Sequence, residues 1–249
     1  TITYGDTAVS KGVTYNGFVN GETESVLGGE LTYTFSYTPG MDVGNFIITP
    51  AGKTSGNYDI TFQSGKLTVE PREVTLTWAG YEDRTAGDGK AVTATAGNLY
   101  SGDVIGVELT GNAMQTSGTH TAKATGLTGA KAGNYKLPAN VTQKYTIGLA
   151  KQELTFVKND NLQSVNYGDT YANPATNNRA DGGKVTYTSS DDTIATVDEN
   201  GVVTAKKVGR TTITATAAAV DGKYTEAKAE YILLVNKRPI TLDIDPITV

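Results

Sequence analysis

The 249-residue sequence has no cysteine, one histidine, one tryptophan, two methionines and seven prolines. Without cysteine there is no disulfide scaffold, no thiol nucleophile and no thiolate-held zinc or iron–sulfur cluster. A single histidine excludes a multi-histidine metal site. Positive charge is sparse too: 21 Lys and Arg stand against 26 Asp and Glu, for a formal net charge of −5. Nucleic acid is therefore not an expected partner, because phosphate binding needs a basic stripe. No apolar run approaches the roughly 20 residues of a bilayer-spanning helix, so no membrane insertion is expected within this segment. Apolar residues make up only 38%, while glycine (29) and tyrosine (14) are plentiful. Tyr with abundant Thr suits strands with one wet face, not disorder.

Landmarks recur along the chain. Gly56-Asn57-Tyr58 returns as Gly133-Asn134-Tyr135 and, loosely, as Gly222-Lys223-Tyr224, at spacings that suit small domains. A strand is expected after each: Ile60–Phe62 and Lys66–Val69, then 141–147, then 229–235. Each then crosses a short basic joint into a new strand, through Glu70-Pro71-Arg72, Ala150-Lys151 and Asn236-Lys237-Arg238-Pro239. Proline at a joint ends strand pairing. Asn20-Gly21-Glu22-Thr23 and Ser101-Gly102-Asp103-Val104 each join a polar cap to an acid, which predicts one or two helical turns. These landmarks divide the chain into modules near 1–71, 72–150 and 151–237, with the stub of a further one at 238–249. Both ends read as cuts inside a longer polypeptide, and Pro239 to Ile244 reads as an opening strand.

Elsewhere the pattern alternates. Leu31, Tyr33, Phe35 and Tyr37 share one face of a predicted strand, as do Val74, Leu76 and Trp78 of another. Val185–Thr188 and Thr211–Ala217 read the same way. Asn200-Gly201, between Ala195–Val197 and Val202–Thr204, is the strongest hairpin signal, since both residues tolerate a positive φ. No long window carries a helical period. The fold class is mainly β: three small β-rich modules in tandem.

Thr3-Tyr4-Gly5-Asp6, Tyr15 to Thr23, Gly56 to Phe62 and Gly65 to Val69 resemble the MBG repeats of bacterial cell-surface proteins in their YGX form. The second module is similar to a diverged copy that keeps Ser-Gly-Asp and Gly-Asn-Tyr but lacks an opening Tyr-Gly-Asp. Val185 to Asp191, Ile194 to Asp198, Gly201 to Ala205 and Val208 to Ala215 resemble bacterial immunoglobulin-like domains of group 2, with Tyr187 where many relatives carry Trp. Tyr167-Gly168-Asp169 repeats the opening of the first module. The resemblance implies a β-sandwich for the third module and, for the first two, a β-rich fold with one short helix, β-grasp-like in form. It implies an extracellular place on the bacterial cell surface or cell wall. It carries no catalytic motif, so no enzyme is expected, and no cofactor.

Ser117 and His120 would fall on opposite faces of a strand, which makes His120 an ordinary strand histidine. Asp191, Asp192, Asp198, Glu199 and Asn200 lack the spacing of a calcium loop and suit turn capping, as do Lys158 to Asn161. Thr125 to Gly129 has no phosphate-loop lysine. An isopeptide staple would need Lys, Asn and an acid together in an apolar core. Trp78 continues a core face, and Tyr58 and Tyr135, being repeated, suit a corner. Tyr81 and Tyr100 remain as residues for contact with a ligand. The expected function is a non-catalytic spacer that projects other domains from the cell wall. The alternatives are adhesion to a host glycan or protein, and accessory modules of a larger carbohydrate-active enzyme. The expected partners are neighbouring repeats of the same chain, and the expected state is a monomer.

Overall fold

The computed structural model describes residues 1–244. The chain falls into two compact units, one of Thr1–Glu82, Ala91–Met114 and His120–Tyr145, the other of Asp83–Lys90, Gln115–Thr119 and the chain from Thr146 onward.

In the first unit, a four-stranded sheet runs in the order Ile2–Thr3, Gly65–Glu70, Gly44–Ala51, Thr32–Phe35. Ile2–Thr3 lies parallel to Gly65–Glu70, with Thr3 opposite Glu70; the other pairs are antiparallel. Thr75–Ala79 pairs with Thr93–Gly97, and Gly106–Thr110 with Gly118–Thr128. One apolar cluster serves both ends of this unit: Tyr4, Tyr37, Leu67 and Val69 pack with Val74, Ala96, Ile105 and Tyr135. The alternation predicted for 31–37 holds, with Tyr33 and Phe35 turned inward and Tyr37 only 3% exposed.

The expected short helix is a single 3-10 turn, Glu24–Val26, capped by the Thr23 side chain. It is too short to lie across a sheet as a β-grasp helix would. No helix follows Ser101, because the Asp103 carboxylate is turned to other donors; the second 3-10 turn is Ala132–Asn134. Ile60–Phe62 forms no strand. Pairing starts only at Gly65, opposite Ile48, and alternation without a neighbouring ladder does not make a strand.

The second unit contains the expected β-sandwich. Leu162–Asn166, Ala227–Asn236, Gly209–Ala217 and Val185–Ser189 form one sheet; Thr170–Ala172, Val202–Ala205 and Ala195–Val197 form another. Ile213, Ala215, Tyr231, Leu233 and Val235 of the first meet Ala195, Val203 and Ala205 of the second in one core. The hairpin at Asn200-Gly201 has a four-residue loop. Only Gly201 takes a positive φ (75°), and the Asp198 carboxylate accepts from the amides of Asn200 and Val202. Between Pro239 and Ile244 no strand forms, and no neighbouring strand takes up those backbone groups. The remainder of the 238–249 stub, residues 245–249, lies outside the described residues.

Among the described residues one buried side-chain polar atom has no partner, the Tyr231 hydroxyl. The Asn173 side chain is already committed to the backbone of Lys158, at 2.7 and 3.0 Å. An unsatisfied buried hydroxyl costs about 1–3 kcal/mol. Tyr231→Phe is therefore expected to hold or raise stability, by up to about 1 kcal/mol once repacking is allowed for. A lower urea midpoint for the variant would show that the hydroxyl is satisfied.

Candidate functional site

Two turns, each built more than once, organise the molecule. The first begins each stretch. Gly5 has φ +85°, and the Asp6 amide donates to the Thr3 carbonyl (2.9 Å) while the Asp6 carboxylate accepts from the Thr3 amide (3.2 Å). Gly168 has φ +84°, with the corresponding Asp169–Asn166 bonds at 3.0 and 3.1 Å. The strand before each turn runs parallel to the last strand of its own stretch. Tyr4 N–H donates to Glu70 and Tyr167 N–H to Asn236, both at 2.9 Å. Two residues later an arginine returns to clamp the turn: Arg72 to Asp6 at 2.8 Å, Arg238 to Asp169 at 2.9 Å.

The same turn opens the second stretch, where the sequence shows no Tyr-Gly-Asp. It is Ala86-Gly87-Asp88, with φ +71° at Gly87 and the Ala86 amide donating to Gly148 at 2.8 Å. Ala150 stands where the clamping arginine would be, and Arg84 supplies the guanidinium instead. It donates through Nε and Nη2 to both Asp88 oxygens, at 2.8 and 3.1 Å, and to the Lys90 carbonyl at 2.7 Å. This hydrogen bonding with Arg84 holds the Asp88 carboxyl down at about 2. The signal that would have found the turn is the nearly even spacing of the Gly-Asp pairs 5–6, 87–88 and 168–169.

The second turn joins the two recurring landmarks. Tyr58 donates its hydroxyl to Glu22 and accepts from the Val19 amide (3.4 Å). Tyr135 donates to Asp103 (2.6 Å) and accepts from the Tyr100 amide (2.8 Å). Each acid stands three residues after the donating amide, across a glycine of positive φ, Gly21 or Gly102. Tyr224 likewise donates to a carboxylate, Asp181, at 2.9 Å. The repeated tyrosines thus fix corners, as their repetition suggested.

The second copy also carries the joint between the stretches. Tyr4, fully buried, donates to the same Asp103 oxygen at 3.0 Å and meets the rings of Tyr100 and Tyr135 edge-on, at 5.7 and 5.4 Å. Asn134, 3% exposed, accepts from the Val43 amide and donates to Asp42, both at 2.9 Å. Lys131 pairs with Asp42 at 2.6 Å, and that contact holds the Asp42 carboxyl below its usual range. Lys131, Asn134 and Asp42 are the residue types of an isopeptide staple, but Asp42 and Lys131 are solvent-exposed and the apolar shell is missing.

Burial, then the Asp103 carboxylate, pushes the Tyr135 hydroxyl up to about 12. A group that holds its proton harder when folded stabilises fully below its ordinary value of 10.0 and loses that contribution as pH rises through about 12. The first unit is expected to weaken across that interval. Tyr135→Phe should lose about 1–2 kcal/mol at neutral pH and flatten the alkaline step. Denaturant midpoints measured through the range check both.

The other singled-out residues lie apart. Tyr81 is half-buried in the turn after Thr75–Ala79, and Trp78 is half-buried opposite Ala94. The Tyr100 ring is packed over Gly5 and Gly40. His120 sits half-buried, 5.5 Å from the Tyr145 ring. Asp191 and Asp198 cap their own turns. Gly126 marks a bulge between Ala124 and Gly126, not a phosphate loop. Among the described residues no group of three His, Cys, Asp or Glu could hold a metal ion. Among the described residues no helix is long and apolar enough to cross a membrane.

Residues 1–68 match the MBG domain family (YGX type), and residues 149–227 match the bacterial Ig-like domain family (group 2). Over 69 residues the chain is 45% identical to an uncharacterised protein of Clostridium acetobutylicum, which is 28% of this chain and 7% of that protein's length. Solved structures with some likeness include the S-layer protein rSbsC(31-844), with a TM-score of 0.33 and 18% identity, covering 86% of this chain and 36% of that one. Another is mouse protocadherin-24 EC1-3, with a TM-score of 0.30 and 13% identity, covering 96% of each chain. Likenesses at such scores do not bear on what this chain binds. The MBG and Ig-like matches assign a non-catalytic structural or adhesive role, extracellular, at the bacterial cell surface.

Proposed function

We infer that this segment is a spacer of a surface protein, built of modules near 1–71, 72–150 and 151–237, that sets the distance of other domains from the cell wall. The observation that carries this reading is the common core of the first unit. Tyr4 and Val69 from one stretch pack with Val74 and Tyr135 from the next, so that joint cannot swing without opening apolar surface. Because the chain has no cysteine, spin labels are readily placed on Lys66→Cys and Lys123→Cys, both at exposed positions. One narrow distance distribution is expected; a broad one would overturn the reading.

The second reading is adhesion to a host glycan or protein through Tyr81; Tyr100, the other residue expected to reach a ligand, has its ring packed over Gly5 and Gly40. Tyr81 favours it, since the residue is only half-buried in its turn. A glycan and protein array in which Tyr81→Ala loses a hit seen with the parent chain would establish it. An array with no hit at high concentration would reject it.

A further inference from the structure

The first and third stretches close on the same device, with the same hydrogen bonds at the same register, yet only one of the two ends is covered. In the first, Tyr4 is 0% exposed and Val74 is 1% exposed. A Cβ on Gly5 would lie 2.4 Å from the Tyr100 ring. Tyr135–Lys136 pairs in parallel with Arg72–Glu73, beginning at the clamping arginine itself. The cover is the second stretch.

In the third, Tyr167 stands in the place of Tyr4 and is 51% exposed. A Cβ on Gly168 would meet only the Arg238 guanidinium, at 3.6 Å. An open hollow lies there, lined by Asn166, Gly168, Asp169, Tyr171 and Arg238. Counting on from the arginines, Ile240, Leu242 and Ile244 fall at the positions of Val74, Leu76 and Trp78, with the same alternation, and are 81, 88 and 93% exposed. Isolated apolar residues on a surface need no explanation, but an exposed alternating apolar run that begins two residues after Arg238, which lines the hollow, marks an interaction face.

We propose that this end of the Ig-like stretch is a docking face for a β segment of the kind that covers the first stretch (residues 72–82, 91–114 and 120–145), one that uses Ile240–Ile244 as its first strand and lays an aromatic ring over Gly168. The occupant is identified by the internal precedent: the same turn, clamp and following strand are covered in that way in the first stretch. The inference rests on the reading of the segment as packed modules. The label-distance experiment addresses only the joint within residues 1–145, so either can fail without the other.

The test replaces residues 245–249 with a second copy of residues 79–150, which keeps the Ala86–Gly148 and Arg84–Ile147 contacts of that stretch. Its parts 91–114 and 120–145 share their core with residues 1–71 in the parent chain, so the copy is expected to fold after Ile244 only if the third stretch supplies the missing half. The expected result is a folded extension in which the amides of Ile240 and Leu242 exchange about 100-fold more slowly than in the parent chain, as strand amides do. Gly168→Ala, whose methyl meets only the Arg238 guanidinium in the parent chain, should abolish that protection in the extended chain by striking the ring. An extension that fails to fold, one that folds with 240–244 unprotected, or indifference to Gly168→Ala would each overturn the proposal. So would protection of 240–244 in the parent chain on dimerisation, which would assign the face to a second copy.

Discussion

Arg84→Met is expected to cost about 3–5 kcal/mol, because it leaves a shielded carboxylate without its counter-charge. The Arg84 side chain is 0% exposed and that of Asp88 9%. The pair is local in sequence, yet it closes the turn that starts the second stretch, where the Ala86 amide reaches Gly148 and Arg84 lies opposite Ile147 in a parallel ladder. Asp88→Asn keeps the shape and the Oδ1 acceptor while giving up the charge, so it should cost less than Arg84→Met. The loss also has a pH signature. The Asp88 carboxyl is lowered from 3.8 to about 2 in the folded protein. A depressed carboxyl stabilises fully above its unfolded value and loses that contribution as pH falls through the folded one. The parent chain should therefore weaken between pH 3.8 and about 2, and Arg84→Met, having no clamp to lose, should show little of that step. Urea midpoints at neutral pH and through the acid range measure both; equal acid steps in parent and variant would place the acid sensitivity elsewhere.

The second large effect compares two glycines with the same backbone. Gly5 and Gly168 have φ of +85° and +84°, so alanine at either pays the left-handed cost of about 1–2 kcal/mol. Only at Gly5 does the new methyl also strike a neighbour, the Tyr100 ring at 2.4 Å. That ring is held between Gly5, Gly40 and the edge of Tyr4, and overpacking such a site adds about 1–3 kcal/mol. Gly5→Ala should cost about 3 kcal/mol and Gly168→Ala about 1. The difference appears as a larger fall in urea midpoint at unchanged slope. Equal losses would show that the Tyr100 ring yields freely and that the joint is softer than its packing indicates.

Much of the local structure could be read from the residues. Alternation marked the strands at 32–35, 75–79, 185–189 and 209–217, and Gly201 marked its hairpin. The recurrence of Gly-Asn-Tyr and of the glycine–acid turns marked both halves of the corner lock without showing that they meet. Ile60–Phe62 alternates as well as any of these and is not a strand, since pairing is decided by whether a neighbour's backbone is within reach. Ala86-Gly87-Asp88 escaped notice because the tyrosine that flags the turn elsewhere is absent, while the turn itself needs only the glycine's φ and the acid's oxygens.

The sequence by itself determined the β class, the strand faces, the turn positions and the absence of thiol and multi-histidine chemistry, because these follow from residue type and from a period of two along the chain. Tertiary structure alone decided that Tyr4, Tyr100, Asp103 and Tyr135 form one joint, that Arg84 replaces a missing clamp, and that Tyr100 packs inward. Those outcomes depend on which distant residues share a desolvated space, and separation along the chain says nothing about that.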